Sequence, residues 1–434
     1  MTIAQVNLWG SRIGVVSLHA GASAASFEYD RAFLGSGIEV APLTMPLAPS
    51  IYSFDTLNPI TFRRLPALLA DSLPDKFGNT LIDAWLAGQG RDPESFDAVE
   101  RLCYIGQRGM GALEFAPVLG PTELKSKHID VDALVDLASR VLEQRSNLKA
   151  SFSSDAATAS IHDILTVGTS AGGARAKAVI AWNEATNEIR SGQVTAGPGF
   201  SYWLMKFDGV RGNKDKELAD PKGYGAIEYA YSNMAKAAGI NVPDARLFEE
   251  GGRRHFMVKR FDRLESGDKL HMQSLGAMAN LDFNMPRSNS YEQAFFTMRK
   301  LALPTAQVEE LFGRMAFNII ARNQDDHVKN IAFLMGREGQ WSLSPAFDMT
   351  LNYNPEGGWT NQHQMSLNGQ RSDFTLADFD AGAKSALLNK RRARSIVSDV
   401  REAVSRWPEF AKQADIEKSR IKSINGLLRL NILI

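Results

Sequence analysis

The sequence has little of several features that would place it in a special class. It contains one cysteine, Cys103, among 434 residues, so no disulfide can form within the chain. No apolar run approaches the roughly 18 residues of a membrane span. The 49 basic and 49 acidic residues give a formal net charge of +0, so no overall field attracts nucleic acid or acidic lipid. We therefore expect a globular, cytoplasmic protein, with no membrane partner and with any DNA contact confined to a local patch.

The chain is longer than one ordinary hydrophobic core requires, so it should contain more than one packed unit. Its first part has short strand-like runs separated by Gly and Ser turns, whereas residues 161–258 alternate strands with one helix. From about residue 271 the apolar spacing is mostly helical. We predict an α+β fold with three units: a β-rich N-terminal module (1–120), a small lobe (145–260) and an all-α large lobe (261–434).

The most informative motif is the segment 323–330, which reads Asn-Gln-Asp-Asp-His-Val-Lys-Asn. An Asp followed five positions later by an Asn, here Asp325 and Asn330, is the spacing of the protein-kinase catalytic loop. There the Asp accepts the proton of the attacking hydroxyl, the Asn binds Mg²⁺, and a second Asp further along holds the metal. Asp348 occupies that place, because a predicted hairpin over 331–343 returns the chain to the loop.

Other interpretations of these acidic residues are open. Asp325 and Asp326 are also typical of solvated loops, and Asp348 could cap a turn. His327 beside two carboxylates could indicate a metal hydrolase, although no second histidine nearby completes a ligand set. The ordered set of three functional residues favours phosphoryl transfer. We therefore predict that the fold is protein-kinase-like and bilobal, with an ATP-binding loop in the small lobe and the catalytic loop in the large lobe.

The nucleotide would be held by residues earlier in the chain. Lys206 ends an apolar strand and Glu228 lies on a helix predicted over 227–238, the arrangement of the kinase Lys–Glu pair. Without that pairing, Lys206 would be a strand-end lysine reaching water. The small residues of 169–177 allow backbone amides to approach phosphates, or they form a plain turn. The segment 257–262 is either the hinge that would contact adenine through its backbone or an ordinary connection from a strand to a loop.

Together these segments resemble the HipA family of Ser/Thr kinases, the toxin half of bacterial HipBA-type toxin–antitoxin systems, over nearly the whole chain. The resemblance implies ATP and Mg²⁺ as cosubstrates, Asp325 as the base, Asn330 and Asp348 as metal ligands and Glu228 as the ion-pair partner of Lys206. Segments that carry it are 72–75, 105–112, 168–177, 206, 259–263, 323–330 and 347–349. ATP-binding residues that it implies are Gly172, Gly173, Ala174, Arg175, Ala176, Lys177, Lys206, Lys259, Arg260, Phe261, His327, Val328, Lys329, Asn330, Phe347 and Asp348.

The resemblance also implies regulation and partners. Family members phosphorylate themselves on a serine of the small-residue loop, which would be Ser170, although Thr169 is an alternative acceptor. A phosphate there would add about −1.5 to −2 charges beside Arg175 and Lys177 and could pull the loop from the ATP site. The implied partners are a HipB-like helix-turn-helix antitoxin and, through it, operator DNA. The implied substrate is an aminoacyl-tRNA synthetase, glutamyl-tRNA synthetase in the best-known relatives, whose phosphorylation arrests translation.

Three departures from ordinary kinases favour this branch. Asn323-Gln324 replaces His-Arg before the base, Asp348-Met349-Thr350 replaces Asp-Phe-Gly, and no Ala-Pro-Glu follows. Asp326 stands where family members often have Gly, and the sequence offers no reason for it.

The densest basic cluster consists of Lys390, Arg391, Arg392 and Arg394. It is either a solvated helix face or a DNA phosphate contact.

Two other functions are open. One is a small-molecule phosphotransferase, such as an aminoglycoside or choline kinase. The other is a catalytically idle co-repressor acting with an antitoxin.

Overall fold

The computed structural model describes residues 1–120, 129–143, 175–210, 214–215, 218–219 and 222–432. The predicted phosphate loop falls largely outside these ranges. Predictions for Thr169, Ser170, Gly172, Gly173 and Ala174 therefore lie outside the described residues.

An antiparallel five-stranded sheet forms the N-terminal module, with the strand order β4-β3-β2-β1-β5. Its strands alternate buried and exposed side chains, so one face packs on a core and the other does not. Residues of the first and third helices pack into the core under the buried face, whereas the second helix packs into a core shared with the small lobe. The strands are β1 Thr2–Leu8, β2 Ser11–Leu18, β3 Ser26–Tyr29, β4 Ile51–Ser53 and β5 Leu113–Ala116, and the helices are α1 Ala67–Ala70, α2 Lys76–Gly88 and α3 Ala98–Ile105.

The small lobe is built on a second antiparallel five-stranded sheet, in the order β11-β12-β8-β6-β7. A long helix, α5, packs against strand β12. Because strand β8 lies between β6 and β12, its last residue is held on both sides by backbone pairing. The elements are α4 Val131–Glu143, β6 Lys177–Asn183, β7 Glu188–Ser191, β8 Ser201–Lys206, β9 Lys214–Asp215, β10 Leu218–Ala219, α5 Tyr224–Ala237, β11 Ala245–Glu250 and β12 Arg253–Lys259.

The large lobe is mainly helical and contains the largest hydrophobic core, in which Phe312, Tyr231 and Trp407 are fully buried. It also contains a three-stranded sheet, β13-β15-β16, of which the sequence predicts the β15–β16 hairpin but not its third strand. Two short strands, β14 and β17, pair in parallel. The elements are β13 His271–Ser274, α6 Leu275–Met278, β14 Asn289–Ser290, α7 Tyr291–Lys300, α8 Thr305–Ile320, β15 Ala332–Met335, β16 Trp341–Leu343, β17 Met365–Ser366, α9 Leu376–Ser385, α10 Lys390–Ser405, α11 Trp407–Gln413 and α12 Lys418–Asn425.

The N-terminal module is joined to the large lobe by side chains that reach across. The Trp9 indole donates to the Lys269 carbonyl at 2.7 Å, and the Lys269 ammonium lies 2.7 Å from Glu114. The Trp341 indole donates to the Glu39 carbonyl at 3.1 Å. None of the helices in the described ranges has the length and apolar character to cross a membrane.

Candidate active site

A cavity of about 530 Å³ opens where the N-terminal module, the small lobe and the large lobe meet. Its volume lies within the range of small-molecule sites. The structure brings to its wall most of the predicted residues that it describes: Arg175, Lys177, Lys206, Glu228, Lys259, Arg260, Phe261, Asp325, His327, Lys329, Asn330, Phe347 and Asp348.

Two predicted ATP-binding residues are not on the cavity wall. Ala176 and Val328 have side chains that are fully buried in hydrophobic cores instead. Any contribution from them to binding would come through their backbone.

Lys206 lies at the centre of the charged groups. Its Nζ is 2.5 Å from Oε1 of Glu228 on α5 and is also hydrogen-bonded to Oδ1 of Asp348. Arg175 approaches the other Glu228 oxygen at 3.8 Å. Burial alone would lower the pKa of Lys206, but Asp348 and Glu228 outweigh it and raise that pKa above its ordinary value. The lysine is therefore a stable cation that links the small lobe to the large lobe.

Asp348 follows the hairpin and has a left-handed backbone, with φ of 53°. This conformation turns its carboxylate toward Lys206 rather than along the strand. Burial would raise the pKa of the Asp348 carboxyl, but Lys206 and then Lys177 hold it well below its usual range. The side chain is an anion at any physiological pH, as a metal ligand must be.

The catalytic loop holds Asp325 and Asn330 in a defined relation. The Asn330 amide nitrogen donates to the Asp325 carbonyl at 2.9 Å, which leaves the amide oxygen as its cation-binding atom. The Asp325 carboxylate accepts a hydrogen bond of 2.5 Å from the indole of Trp359, and His327 lies 3.9 Å from the same oxygen. The sequence analysis missed Trp359, which lies 34 positions from Asp325 and belongs to no local motif.

Asp326 faces the opposite way from Asp325 and is buried in the large lobe. Its Oδ2 accepts from the Tyr291 hydroxyl at 2.7 Å and contacts Nδ1 of His363 at 2.8 Å, while its Oδ1 accepts from the Gln364 backbone at 2.8 Å. Burial would raise the pKa of Asp326, but His363 outweighs it and lowers that pKa below its ordinary value. Asp326 thus anchors the catalytic loop to the large lobe. This accounts for an aspartate at a position where the sequence offers no reason for one.

The anchor continues to the C-terminal segment. Arg429 donates to the Ile319 carbonyl at 2.7 Å and to Gln324 at 3.0 Å, and its guanidinium lies 2.9 Å from Nε2 of His363. Burial lowers the pKa of His363 below its ordinary value. Because a guanidinium can only donate, Nε2 of His363 accepts from Arg429, so the ring proton lies on Nδ1 and is donated to Asp326.

The predicted hinge segment is locked to the N-terminal module. Arg260 forms two hydrogen bonds to Asp262, at 2.9 and 2.6 Å, and Asp262 accepts from the Gly111 amide at 2.7 Å. Arg263 donates to the carbonyls of Gly109 and Gly111 at 3.0 Å each. Gly111 has φ of 74°, and a Cβ there would lie 2.9 Å from the Met272 nitrogen, so the glycine permits this close contact.

The basic cluster lies on α10, away from the cavity wall. Lys390 and Arg394 pair with Asp380 at 2.9 and 2.8 Å, and Arg392 pairs with Glu309 at 2.9 Å. Arg391 is exposed. These pairs match a solvated, neutralised helix face, and a DNA contact through the cluster stays a prediction.

The cavity's donors fit ATP and Mg²⁺. Asp348 and Asn330 offer the hard oxygen ligands that Mg²⁺ prefers. Lys206 supplies positive charge for phosphates, and the rings of Phe261 and Phe347, 5.7 Å apart, offer an apolar surface for a base. The Arg260 side chain, a residue of the cavity wall, is 1% exposed, and its terminal NH1 group is a buried donor with no hydrogen-bond partner among the described residues.

A bilobal fold with this site defines a kinase-like protein. The family model for the HipA-like C-terminal domain matches residues 169–407, more than half of the chain, and the model for the HipA N-terminal domain matches residues 4–116. The chain therefore belongs to the HipA family.

Individual relatives agree with this assignment. The chain is 28% identical over 226 residues to the putative kinase Y4mE of Sinorhizobium fredii, covering 46% of this chain and 52% of that protein. It is 26% identical over 134 residues to a putative kinase of Haemophilus influenzae, covering 28% of this chain and 39% of that protein. The chain thus spans about half or less of the length of these curated relatives.

A solved structure shows the fold. HipA of the Shewanella oneidensis MR-1 toxin–antitoxin system, determined with HipB and operator DNA, superposes with a TM-score of 0.68 at 17% identity, covering 98% of this chain and 96% of that one. The predicted α+β bilobal class is confirmed.

Proposed function

We propose that this protein is an ATP- and Mg²⁺-dependent kinase that phosphorylates serine or threonine hydroxyls of proteins. One observation carries the proposal: Lys206 contacts both Glu228 of the small lobe and Asp348 of the large lobe, in the cavity that Asp325 and Asn330 line. The Lys–Glu pair and the metal-binding Asp are the two parts that protein kinases must bring together.

The residues have separable roles in this mechanism. Asp325, oriented by the Trp359 indole, accepts the proton of the attacking hydroxyl. Asn330 and Asp348 would hold the metal, and Lys206 would hold the phosphates. Bound Mg²⁺–ATP supplies the phosphoryl group and the charge that neutralises the leaving oxygen. The protein contributes position and electrostatic stabilisation, and little covalent chemistry.

For the substrate and the regulation, the support is the resemblance to the family. We infer that the substrate is an aminoacyl-tRNA synthetase, glutamyl-tRNA synthetase first, so that activity arrests translation and growth. We also infer autophosphorylation at Ser170, with Thr169 as the alternative, as a means of self-inactivation. Arg175 and Lys177, both buried at the cavity, supply the positive charge that a phosphorylated loop would meet.

The proposed partner is a small helix-turn-helix antitoxin, which would bring the protein to operator DNA as part of a toxin–antitoxin pair. The support is the shared fold with a HipA protein that was solved with HipB and its operator. The proposed location of this complex is the cytoplasm.

The test is to incubate the purified protein with γ-labelled ATP and Mg²⁺, alone and with cell extract, beside Asp325→Gln. Asp415→Asn is the matched control, since Asp415 is almost fully exposed and far from the cavity. We expect label on protein with the wild type and the control, and none with Asp325→Gln. Equal labelling by all three would refute Asp325 as the base. Label only on small molecules would favour a small-molecule phosphotransferase, and no transfer at all would favour a co-repressor.

A further inference from the structure

The lysine of the catalytic loop is held by the N-terminal module. The ammonium of Lys329 is hydrogen-bonded to a carboxylate oxygen of Asp75 and lies 4.8 Å from the centre of the Phe283 ring. Only 16% of the Lys329 side chain and 21% of the Asp75 side chain are exposed. The pair is thus a partly buried contact between charged groups, of the kind that depends on both partners.

Asp75 occupies a position where an aspartate normally serves its own helix. It is the N-cap residue of α2, yet its side chain makes no hydrogen bond to the helix amides. Asp97, at the same position of α3, accepts from the amides of Val99 and Glu100 at 2.9 Å each. Asp75 therefore forgoes the usual cap and contacts the catalytic loop, 254 positions away.

A second aspartate, in the connection between α1 and α2, contacts the catalytic loop indirectly. Asp71 accepts from the Ser274 amide at 2.7 Å and from the Ser274 hydroxyl at 2.8 Å. Ser274 caps helix α6, which packs against the single turn Val328–Asn330. The N-terminal module thus contacts this turn directly through Asp75 and indirectly through Asp71.

The geometry points to Asp75 as a positioning residue for the catalytic loop, acting through Lys329. This inference rests on the proposed kinase function. Lys329 is adjacent to Asn330, whose amide donates to the Asp325 carbonyl. A displacement of Lys329 would therefore move the metal ligand and the base together. The N-terminal module, in this account, is part of the catalytic architecture, and its docking determines whether the loop is competent.

The test is Asp75→Asn, which keeps the size of the side chain and removes its charge. We expect kcat to fall roughly 10- to 100-fold, as for small displacements of reacting groups, with the KM for ATP changed less than about 3-fold. In a Lys329→Met background the same substitution should have no further effect, because the partner is already gone. A wild-type kcat in Asp75→Asn would overturn the inference. So would an equal fold-loss of kcat on adding Asp75→Asn to the wild type and to Lys329→Met.

Asp97→Asn is the matched control. It weakens a helix cap in the same module but touches neither the cavity nor the catalytic loop, so its kcat should stay at the wild-type value.

Hydrogen exchange separates this inference from the proposed function. The peptide covering residues 325–330 should exchange faster in Asp75→Asn than in the wild type or in Asp97→Asn. If the wild type transfers no phosphate, the kinase proposal fails, and the exchange result alone decides whether Asp75 holds the loop. Unchanged exchange in Asp75→Asn would refute that role.

Discussion

The two neighbouring aspartates of the catalytic loop face opposite environments. Asp325 lines the cavity and accepts a hydrogen bond from Trp359, whereas Asp326 is buried and accepts from Tyr291, His363 and the Gln364 backbone. We call these sides the cavity face and the core face of the loop. The same residue type faces a ligand-sized cavity on one side and attaches the loop to the core on the other, and the difference lies in the environment that tertiary packing gives each carboxylate.

This difference predicts which property each face controls. On the cavity face, charged groups are gathered for a ligand, so substitutions there should reduce phosphoryl transfer. On the core face, the groups satisfy one another, so removal of one leaves buried polar atoms without partners and costs stability.

A large effect on activity should follow from Lys206→Met on the cavity face. We expect the rate of phosphoryl transfer to fall roughly 10²-fold or more, because the phosphates lose their charge partner. Steady-state kinetics over a range of ATP concentrations measure this. Lys236→Met is the control. Lys236 is exposed, and its ammonium lies as far as 3.7 Å from the nearest carboxylate oxygen, which belongs to Asp244. Activity of Lys206→Met within about 3-fold of the control would place Lys206 outside the mechanism.

On the core face, Asp326→Asn should lower the free energy of unfolding by roughly 2–4 kcal/mol at pH 7. The reason is that Asn cannot accept all three hydrogen bonds that the buried carboxylate accepts. Denaturant unfolding followed by circular dichroism gives the value, with the exposed Asp415→Asn as the reference. An unfolding free energy equal to that of the reference would show that Asp326 does not anchor the loop.

A smaller effect distinguishes the charge of Asp326 from its shape. Because the folded protein holds the pKa of Asp326 below its ordinary value, the carboxylate's contribution to stability is complete above about pH 3.9 and is lost as pH falls toward the folded pKa. The difference in unfolding free energy between wild type and Asp326→Asn should therefore be greatest near pH 7 and should shrink below about pH 4. A difference that is constant with pH would mean that the charge plays no part.

The smallest effect is expected at the surface. Arg392→Ala breaks an ion pair in which the arginine is half exposed. Exposed pairs contribute about 1 kcal/mol or less to stability, so the free energy of unfolding should change by no more than that. The same variant tests the predicted DNA contact: operator affinity of the antitoxin complex should fall, and its salt dependence should weaken, if Arg392 contacts a phosphate. Unchanged affinity at low salt would remove this residue from the interface.

The sequence predicts those parts of the site that follow a short spacing. Asp325 and Asn330 lie within one loop, and the strand and helix that carry Lys206 and Glu228 have recognisable periodicity. The mostly helical character of the large lobe is likewise predicted, because its helices pack their apolar faces on one core.

The remainder depends on contacts between distant segments. Asp326 meets Tyr291 and His363 at separations of 35 and 37 positions, and Lys329 meets Asp75 at 254. No local pattern distinguishes such an acid from a solvated one, since its partner is determined only by tertiary packing. For Lys329, the resemblance predicts an ATP contact, while the structure adds a partner in another module.

The most direct test of the central claim measures Mg²⁺–ATP binding and phosphoryl transfer in the same preparations of wild type and Asp325→Asn. Calorimetry gives the dissociation constant, and labelled ATP gives the transfer rate. We predict that Asp325→Asn binds Mg²⁺–ATP within about 3-fold of the wild type, while its transfer rate falls by roughly 10²- to 10⁴-fold, as expected for loss of a general base. Transfer at the wild-type rate by Asp325→Asn, or no binding of Mg²⁺–ATP by the wild type, would contradict the account.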